Sequence, residues 1–244
     1  GRPLQGQRVM IQARDLGFSY GSAHVLSGVT FKVETGQAVA LLGANGSGKS
    51  TLLTILSGLN SPGSGQVRVQ NLISPGQEKK VRQVVGLLLQ EADMQILGAT
   101  VGEDILLGQK GSGIGRDDTA ARELAHRFGL LEVWDTSVHA LSGGQKRKLC
   151  LAAMLVRRPA TLLYDEPFSG LDYPASRELR RHIQANAEHG LTQIIAVHDV
   201  EPIVDLVQGF LVLDHGRLVF EGPGDEIMDS LPSYGIRPPF TWQP

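Results

Sequence analysis

The sequence predicts an α/β fold in which helices cover a mostly parallel sheet, with an antiparallel β subdomain at the N-terminus and an inserted α-helical subdomain. Three observations predict it. Alternating strand patterns open the chain, short apolar runs then alternate with helical segments, and one long interval shows helix and loop signals only. Parallel strands have continuous apolar sequences because helices bury both of their faces.

The N-terminal region has the pattern of a small antiparallel sheet. Residues 11–20 and 29–34 alternate apolar and polar side chains, and Thr35-Gly36 predicts a turn after the second strand. Residues 1–10 precede this pattern as an N-terminal extension. They lack an apolar signal core and contain Met10 as a candidate native start.

The remaining strand and helix signals alternate along the chain. Apolar runs predict strands at residues 38–42, 84–89, 161–164, 193–197 and 210–213. Helical periodicity predicts helices at residues 50–59, 119–128, 144–156 and 175–188. We expect one domain over residues 11–222, with the helical insertion at about 91–158, and a C-terminal tail over residues 223–244.

A glycine-rich tract inside the insertion, Gly111-Ser112-Gly113-Ile114-Gly115, is similar to part of a dinucleotide-binding fingerprint. No predicted strand precedes it, and its third glycine is misplaced. An exposed linker is therefore the better interpretation.

Composition limits the possible functions. A net charge of -2 and a pI of about 6.4 give no basic field to support nucleic-acid binding. No apolar stretch approaches the roughly 18 to 20 residues that cross a bilayer. The single cysteine, Cys150, excludes an internal disulfide, and its apolar neighbours predict a buried, inert thiol in a reducing compartment.

Residues 43–50, GANGSGKS, fit the phosphate-binding pattern G-x-x-x-x-G-K-[ST] between a predicted strand and a predicted helix, which a chance glycine turn would lack. This context is typical of P-loop NTPases, whose sheet is RecA-like. Loop N–H groups and the helix dipole would hold phosphate oxygens, Lys49 would neutralise the β- and γ-phosphates, and Ser50 would ligate Mg²⁺. The predicted nucleotide-binding residues of the loop are Gly43, Ala44, Asn45, Gly46, Ser47, Gly48, Lys49, Ser50 and Thr51.

An acidic pair follows the predicted strand at residues 161–164. Asp165 suits Mg²⁺ binding, directly or through water, and Glu166 suits orienting and deprotonating the attacking water. Such a pair alone is usually a solvated turn, but behind a phosphate-binding loop the catalytic interpretation is favoured. Together these residues predict a P-loop nucleotidase.

The segment Leu141-Ser142-Gly143-Gly144-Gln145 resembles the signature of ABC ATPases, and Ser142 also fits a helix N-cap. The resemblance extends over about residues 11–222. In that family the amides of this segment bind the γ-phosphate held by the opposite subunit, in agreement with the anion preference of helix N-termini. The resemblance therefore implies ATP as substrate, Mg²⁺ as cofactor, and a second ABC ATPase subunit, either an identical copy or a paralogue.

Several other individual positions also resemble residues of the family. Tyr20 resembles the aromatic that stacks on adenine, although a core or edge tyrosine is equally plausible. Gln90 resembles the glutamine that touches Mg²⁺ and the attacking water, and His198 resembles the histidine on the γ-phosphate; each is otherwise a strand-end residue. Ser169-Gly170-Leu171-Asp172 resembles a loop that crosses the dimer interface, or is an ordinary turn. The implied catalytic residues are Glu166, His198, Gln90 and Lys49, and the implied metal ligands are Ser50, Gln90 and Asp165.

Residues 90–108, QEADMQILGATVGEDILLG, look like the coupling segment of energy-coupling factor importers, which take up vitamins or the transition metals cobalt and nickel. In that subfamily the region around Asp93 and Gln95 helps to shape a groove for helices of the integral membrane subunits. The resemblance implies a peripheral protein at the cytoplasmic face of the membrane. It leaves open the substrate, the membrane partners and the choice between homodimer and heterodimer.

Departures from the subfamily pattern lie at flanking positions. Ala92 and Ala99 replace usual prolines, Phe168 stands where threonine is common, and Tyr173 stands where proline is common. Related subunits often continue past the position of Pro244 into a segment that aids dimerisation, which leaves dimer stability without ATP open.

Two alternative functions fit parts of the sequence. A soluble ABC ATPase acting on DNA or ribosomes is disfavoured because about 90 residues, without sustained heptads, separate the loop from the signature, and because the chain carries one such domain. A P-loop kinase is disfavoured by residues 141–145 and by the lack of a recognisable acceptor-substrate site.

Overall fold

The computed structural model describes residues 9–110 and 115–240. Its strands are β1 (Val9–Tyr20), β2 (Ala23–Glu34), β3 (Ala38–Leu42), β4 (Ser64–Val69), β5 (Leu72–Ser74), β6 (Val85–Leu88), β7 (Thr161–Asp165), β8 (Thr192–Val197), β9 (Gly209–Asp214) and β10 (Arg217–Gly222). Its α-helices are α1 (Lys49–Leu56), α2 (Glu78–Val84), α3 (Val101–Gly108), α4 (Asp118–Arg127), α5 (Gly143–Leu155) and α6 (Tyr173–Glu188).

The strands form two sheets. The larger has the order β10-β9-β3-β8-β7-β6, in which β9, β3, β8, β7 and β6 run parallel and β10 is an antiparallel edge. The smaller sheet has the order β2-β1-β4-β5 and is antiparallel throughout. The predicted α/β class with an N-terminal antiparallel subdomain is confirmed.

The central strand β3 shows how the layers are held together. Val39 and Leu41 face one apolar core, shared with α1 and the antiparallel sheet, whereas Ala40 and Leu42 face a second core, shared with α5 and α6. All five residues of the strand are buried. Each buried leucine contributes about 2 kcal/mol of transfer free energy, so the strand's carboxyl end is a rigid base for the loop that follows it.

The insertion between β6 and β7 is helical, as predicted, and its described residues contain no strand. Helix α3 begins at a capping box in which Thr100 and Glu103 exchange side-chain-to-backbone bonds. It packs closely on Trp134. A Cβ added at Gly102 would lie 2.3 Å from that ring, which leaves no room for a side chain there. Four residues of the predicted linker, 111–114, lie outside the described residues.

Several elements escaped the sequence prediction. These are β4, β5, β10, α2, α3 and the first half of β2, which begins at Ala23 rather than at residue 29. They are short or contain glycine, and β4 also takes part of its register from β1, far earlier in the chain. Helix α1 ends at Leu56, three residues early, because Gly58 adopts a φ of 75° that turns the chain out of the helix.

The C-terminal segment packs against the second core. Two 3-10 turns, Gly224–Glu226 and Met228–Tyr234, follow β10. Ile227, Leu231 and Ile236 are buried with the residues beneath α5 and α6. Of the helices that the structure describes, none combines the length and the apolarity that crossing a membrane requires.

Candidate active site

The phosphate-binding loop connects β3 to α1. Gly48 caps α1 in the left-handed conformation, at a φ of 105° that favours glycine. A side chain at Gly43 would place its Cβ 2.4 Å from Ser47 Oγ and 2.5 Å from the carbonyl oxygen of Leu213. These glycines therefore let the loop fold tightly over the end of the sheet.

The turn between β9 and β10 holds this loop against the antiparallel sheet. The N–H of Gly216 donates to the carbonyl of Ser47 at 3.0 Å, and the N–H of Ser27 donates to the carbonyl of Gly216 at 2.9 Å. A Cβ at Gly216 would lie 2.1 Å from the carbonyl oxygen of Val25. Strand β2 is thereby held close enough for Val25 to line the cleft beside the loop.

Lys49, the first residue of α1, is only 6% exposed. Its Nζ donates to the carbonyl of Gly43 at 2.7 Å and to that of Ala44 at 3.3 Å. It also lies 3.3 Å from Glu166 Oε1. A buried cation without such partners would cost several kcal/mol, so the ammonium is held at the floor of the cleft by groups on two different strands.

The two carboxylates end β7. Asp165 is buried; desolvation raises its pKa and the neighbouring Glu166 raises it further, while a hydrogen bond from Ser50 opposes the shift. Its Oδ1 has no hydrogen-bond partner among the described residues. Glu166 has a φ of 45°, a conformation that costs a non-glycine residue about 1 to 3 kcal/mol. Its N–H donates to the carbonyl of Ala196 at 3.0 Å, which fixes it at this turn.

Two more predicted residues reach the same place because the carboxyl ends of parallel strands share one edge of the sheet. His198 follows β8, and its Nδ1 lies 2.8 Å from Glu166 Oε2. Gln90 follows β6 and is exposed at the cleft. The cleft has a volume of about 570 Å³, and its lining residues are Val25, Asn45, Gly46, Gly48, Lys49, Ser50, Thr51, Gln90, Glu166, Ser169 and His198.

Other predicted residues lie outside this lining. Tyr20 is 54% exposed, stacks edge-on against Phe18 with ring centroids 4.8 Å apart, and accepts a hydrogen bond from Asn60 at 3.4 Å. The signature segment begins α5, where the side chains of Ser142 and Gln145 form a capping box. Neither Ser142 nor Gly143 is buried, and a Cβ at Gly143 would meet nothing within 4 Å.

The sequence prediction missed Val25. A single apolar residue between Tyr20 and the predicted strand at 29–34 carries no signal that separates a binding role from packing. Its position became informative only when the pairing of Phe18 with Leu26 placed this part of β2 beside the loop.

Comparisons with known proteins identify the family. The family model described as ABC transporter matches residues 26–169. The chain belongs to the ABC transporter family. The energy-coupling factor transporter ATP-binding protein EcfA of Methanothermobacter thermautotrophicus is 35% identical over 224 residues, which cover 89% of this chain and 72% of that protein.

Two further comparisons show that this ABC ATPase is similar to CbiO proteins. The cobalt import ATP-binding protein CbiO of Rhodobacter capsulatus is 34% identical over 229 residues, 91% of this chain and 82% of that protein. The structure of cbiO1 of Clostridium perfringens, part of the transporter complex cbiONQ, superposes with a TM-score of 0.78 at 29% identity, covering 91% of both chains. The predicted resemblance to this group is confirmed, and the chain is an ATP-binding, ATP-hydrolysing protein.

Proposed function

We propose that this ABC ATPase powers an importer of the energy-coupling factor type by closing head to tail on a second copy or a close paralogue. The observation that carries the proposal is the separation of two anion-binding elements. The cleft contains Lys49, Glu166 and His198, whereas the exposed N-terminus of α5, with Ser142 and Gly143, lies outside it. The α5 N-terminus of another subunit would cover phosphates bound in the cleft.

The floor of the cleft fits a magnesium ion. Asp165 Oδ1 is buried without a partner among the described residues, and the Ser50 hydroxyl bonds the same carboxylate. Carboxylate and hydroxyl oxygens suit Mg²⁺, and the side-chain oxygen of Gln90, which also lines the cleft, would add a ligand. When bound, the ion would help to neutralise the charge of the phosphates.

The arrangement around Glu166 supports its role as general base. Lys49 approaches one carboxylate oxygen at 3.3 Å and His198 the other at 2.8 Å, so the group is fixed in direction. Glu166 would accept the proton of the attacking water, Lys49 would stabilise the phosphates, and the second ring nitrogen of His198 would donate to the γ-phosphate. A positioned general base contributes about 10²- to 10⁴-fold to the rate.

The substitution Glu166→Gln tests this assignment. It keeps the shape of the side chain and removes the base, so we expect hydrolysis to fall by at least about 100-fold while ATP still binds. An ATP-stabilised dimer should then appear by size-exclusion chromatography with light scattering. The matched control is Glu188→Gln on the exposed end of α6, which should hydrolyse ATP like the unaltered chain. Unchanged turnover in Glu166→Gln would refute the assignment.

The coupling segment supports a membrane partner. Met94 and Leu97 are 76% and 81% exposed and lie within four residues of each other, and a cluster of exposed apolar side chains is typical of an interaction surface. Leu97 also lines a groove of about 810 Å³ along α3, together with Ala99 and Leu106. We propose that a helix of an integral membrane subunit binds here, at the cytoplasmic face of the membrane. The cargo would be a vitamin or a transition metal, cobalt or nickel, as the resemblance of residues 90–108 implies, and one relative is named a cobalt import ATP-binding protein.

Affinity purification of the full chain from solubilised membranes tests the importer. We expect stoichiometric integral membrane proteins in the eluate, together with this chain or a paralogue as the second ATPase. If no membrane protein copurifies and DNA or ribosomes stimulate hydrolysis, the chain is a soluble ABC ATPase instead.

A further inference from the structure

Two arginines bind the backbone at the two ends of β6: the buried Arg147 of α5, and the half-buried Arg157, which follows that helix. Arg147 donates from Nη1 to the carbonyl of Leu89 at 2.7 Å and from Nη2 to the carbonyl of Gln90 at 2.8 Å. At the other end, Arg157 donates from Nη1 to the carbonyl of Arg82 and from Nη2 to the carbonyl of Val85, both at 3.1 Å. The two clamps are chemically alike, but only the first ends on a residue of the ATP cleft.

Burial makes the first clamp costly. Arg147 is only 7% exposed, and desolvation lowers its pKa, while the nearby carboxylates of Glu91 and Asp165 oppose the shift. A planar guanidinium donates two hydrogen bonds of fixed direction, whereas an ammonium is a single point charge. The pair of bonds therefore fixes the orientation of the Gln90 peptide as well as its distance from α5.

Other contacts fix the same segment to the same helix. Lys146 Nζ lies 2.6 Å from Asp93 Oδ1, and the thiol of Cys150 donates to the carbonyl of Ala92 at 3.6 Å. The thiol is buried, as predicted, and burial raises its pKa to about 12, so it remains protonated and able to donate. These contacts hold the segment from Leu89 to Asp93 against α5, whose N-cap is Ser142.

We propose that Arg147 is a positioning residue that holds Gln90 in the cleft and makes its placement depend on the position of α5. The inference rests on the proposed function, because Gln90 matters only if the cleft hydrolyses ATP. A shift of α5, when its N-terminus meets phosphates of a second subunit, is passed through the guanidinium to the Gln90 peptide. The hydrolytic site of a chain would thus sense the binding of its own signature segment.

The test is steady-state ATP hydrolysis by the full chain with saturating Mg²⁺ and ATP, comparing Arg147→Met with Arg157→Met. We expect kcat of Arg147→Met to fall about 10- to 100-fold, because a displacement of about 1 Å near the reacting atoms has an effect of this size. Its KM for ATP should stay within about two-fold, since the phosphate-binding loop is untouched. Arg157→Met should lower the melting temperature and leave kcat within about two-fold. Arg147→Lys, which keeps the charge and loses the fork, should have reduced kcat in a chain that still folds.

A double-mutant cycle distinguishes action through Gln90 from general loosening. If Arg147 acts through Gln90, adding Arg147→Met to Gln90→Ala lowers kcat by less than about two-fold further. Fully additive losses, unchanged kcat in Arg147→Met and Arg147→Lys, or equal kcat losses in the Arg147 and Arg157 variants would overturn the inference. Failure of the proposed function looks different, because Glu166→Gln would then retain full hydrolysis.

Discussion

The chain has two anion-binding elements, the cleft and the N-terminus of α5. They differ in whether a single chain supplies all of their parts. In the cleft, the catalytic groups contact one another: the buried Lys49 contacts the buried Glu166, and Glu166 contacts His198, whose side chain is 56% exposed. At the start of α5, Ser142 and Gly143 are exposed. The N–H groups of Ser142 and Gln145 donate within the capping box, whereas those of Gly143 and Gly144, in the first turn, lack intrahelical acceptors. One element holds its catalytic groups in place within a single chain, whereas the other presents donors to something outside it.

The largest loss of ATP binding and hydrolysis is expected from Lys49→Ala. The buried carboxylate of Glu166 loses its cation, and the phosphates lose a charged donor. We expect ATP affinity to fall about 10- to 100-fold and hydrolysis to fall about 100- to 1,000-fold. Calorimetric titration and a phosphate-release assay measure the two effects. Lys79→Ala, at an exposed lysine on α2, is the control and should change neither.

Gly143→Asp, at the N-terminus of α5, should have a smaller but more selective effect. The added carboxylate has open space around it, so the chain should fold, and it places a negative charge where phosphates of the second subunit would bind. ATP binding to the monomer should stay within about two-fold, while hydrolysis falls at least about 10-fold. In the Glu166→Gln background, the ATP-stabilised dimer should be lost.

The control for that substitution is Gly115→Asp, at another exposed glycine whose Cβ would meet nothing within 4 Å. If Gly143→Asp dimerised with ATP as well as this control does, the start of α5 would not contact the second nucleotide. The comparison between the two elements would then lose its functional meaning.

The smallest expected effect concerns His182 of α6. Its ring lies 4.4 Å from that of Phe128, and its Nε2 is buried without a hydrogen-bond partner among the described residues. Burial lowers its pKa, and Arg127 and Lys148 add to the shift, while Glu178 opposes it. The unfolded chain therefore binds more protons than the folded chain just below the ordinary histidine pKa, so stability should decrease as pH falls from about 7.5 to about 5.5.

The substitution His182→Gln removes this titration, and the pH dependence of the urea midpoint should become flatter over the same interval. His139→Gln, at an exposed histidine of the insertion, should keep the profile of the unaltered chain. A profile for His182→Gln as steep as that of the unaltered chain would show that His182 does not titrate on unfolding.

Prediction from the sequence succeeded where the signal was local. Residues 43–50 specify the loop through their glycines, and the apolar run before them specifies a strand buried on both faces. The parallel order of the strands then places Glu166, His198 and Gln90 at one edge. The roles of these residues, and of Tyr20 as an adenine-stacking aromatic, remain predictions.

Prediction from the sequence failed where the signal was distant. Arg147 stood in the sequence as one of several basic residues after the signature, and its partner Gln90 lies 57 positions away. Strand β4 likewise depends on pairing with β1 for its register. Such contacts leave no trace in periodicity or turn composition.

The sequence by itself determined the fold class, the phosphate-binding loop, the acidic pair and the ABC signature, because glycine turns, burial periodicity and helix caps are encoded by neighbouring residues. Only the tertiary structure decided that Lys49 and His198 hold the two oxygens of Glu166, that the α5 N-terminus lies outside that cleft, and that Arg147 holds Gln90. These contacts join separate strands and helices, so they depend on strand order and on how the layers pack.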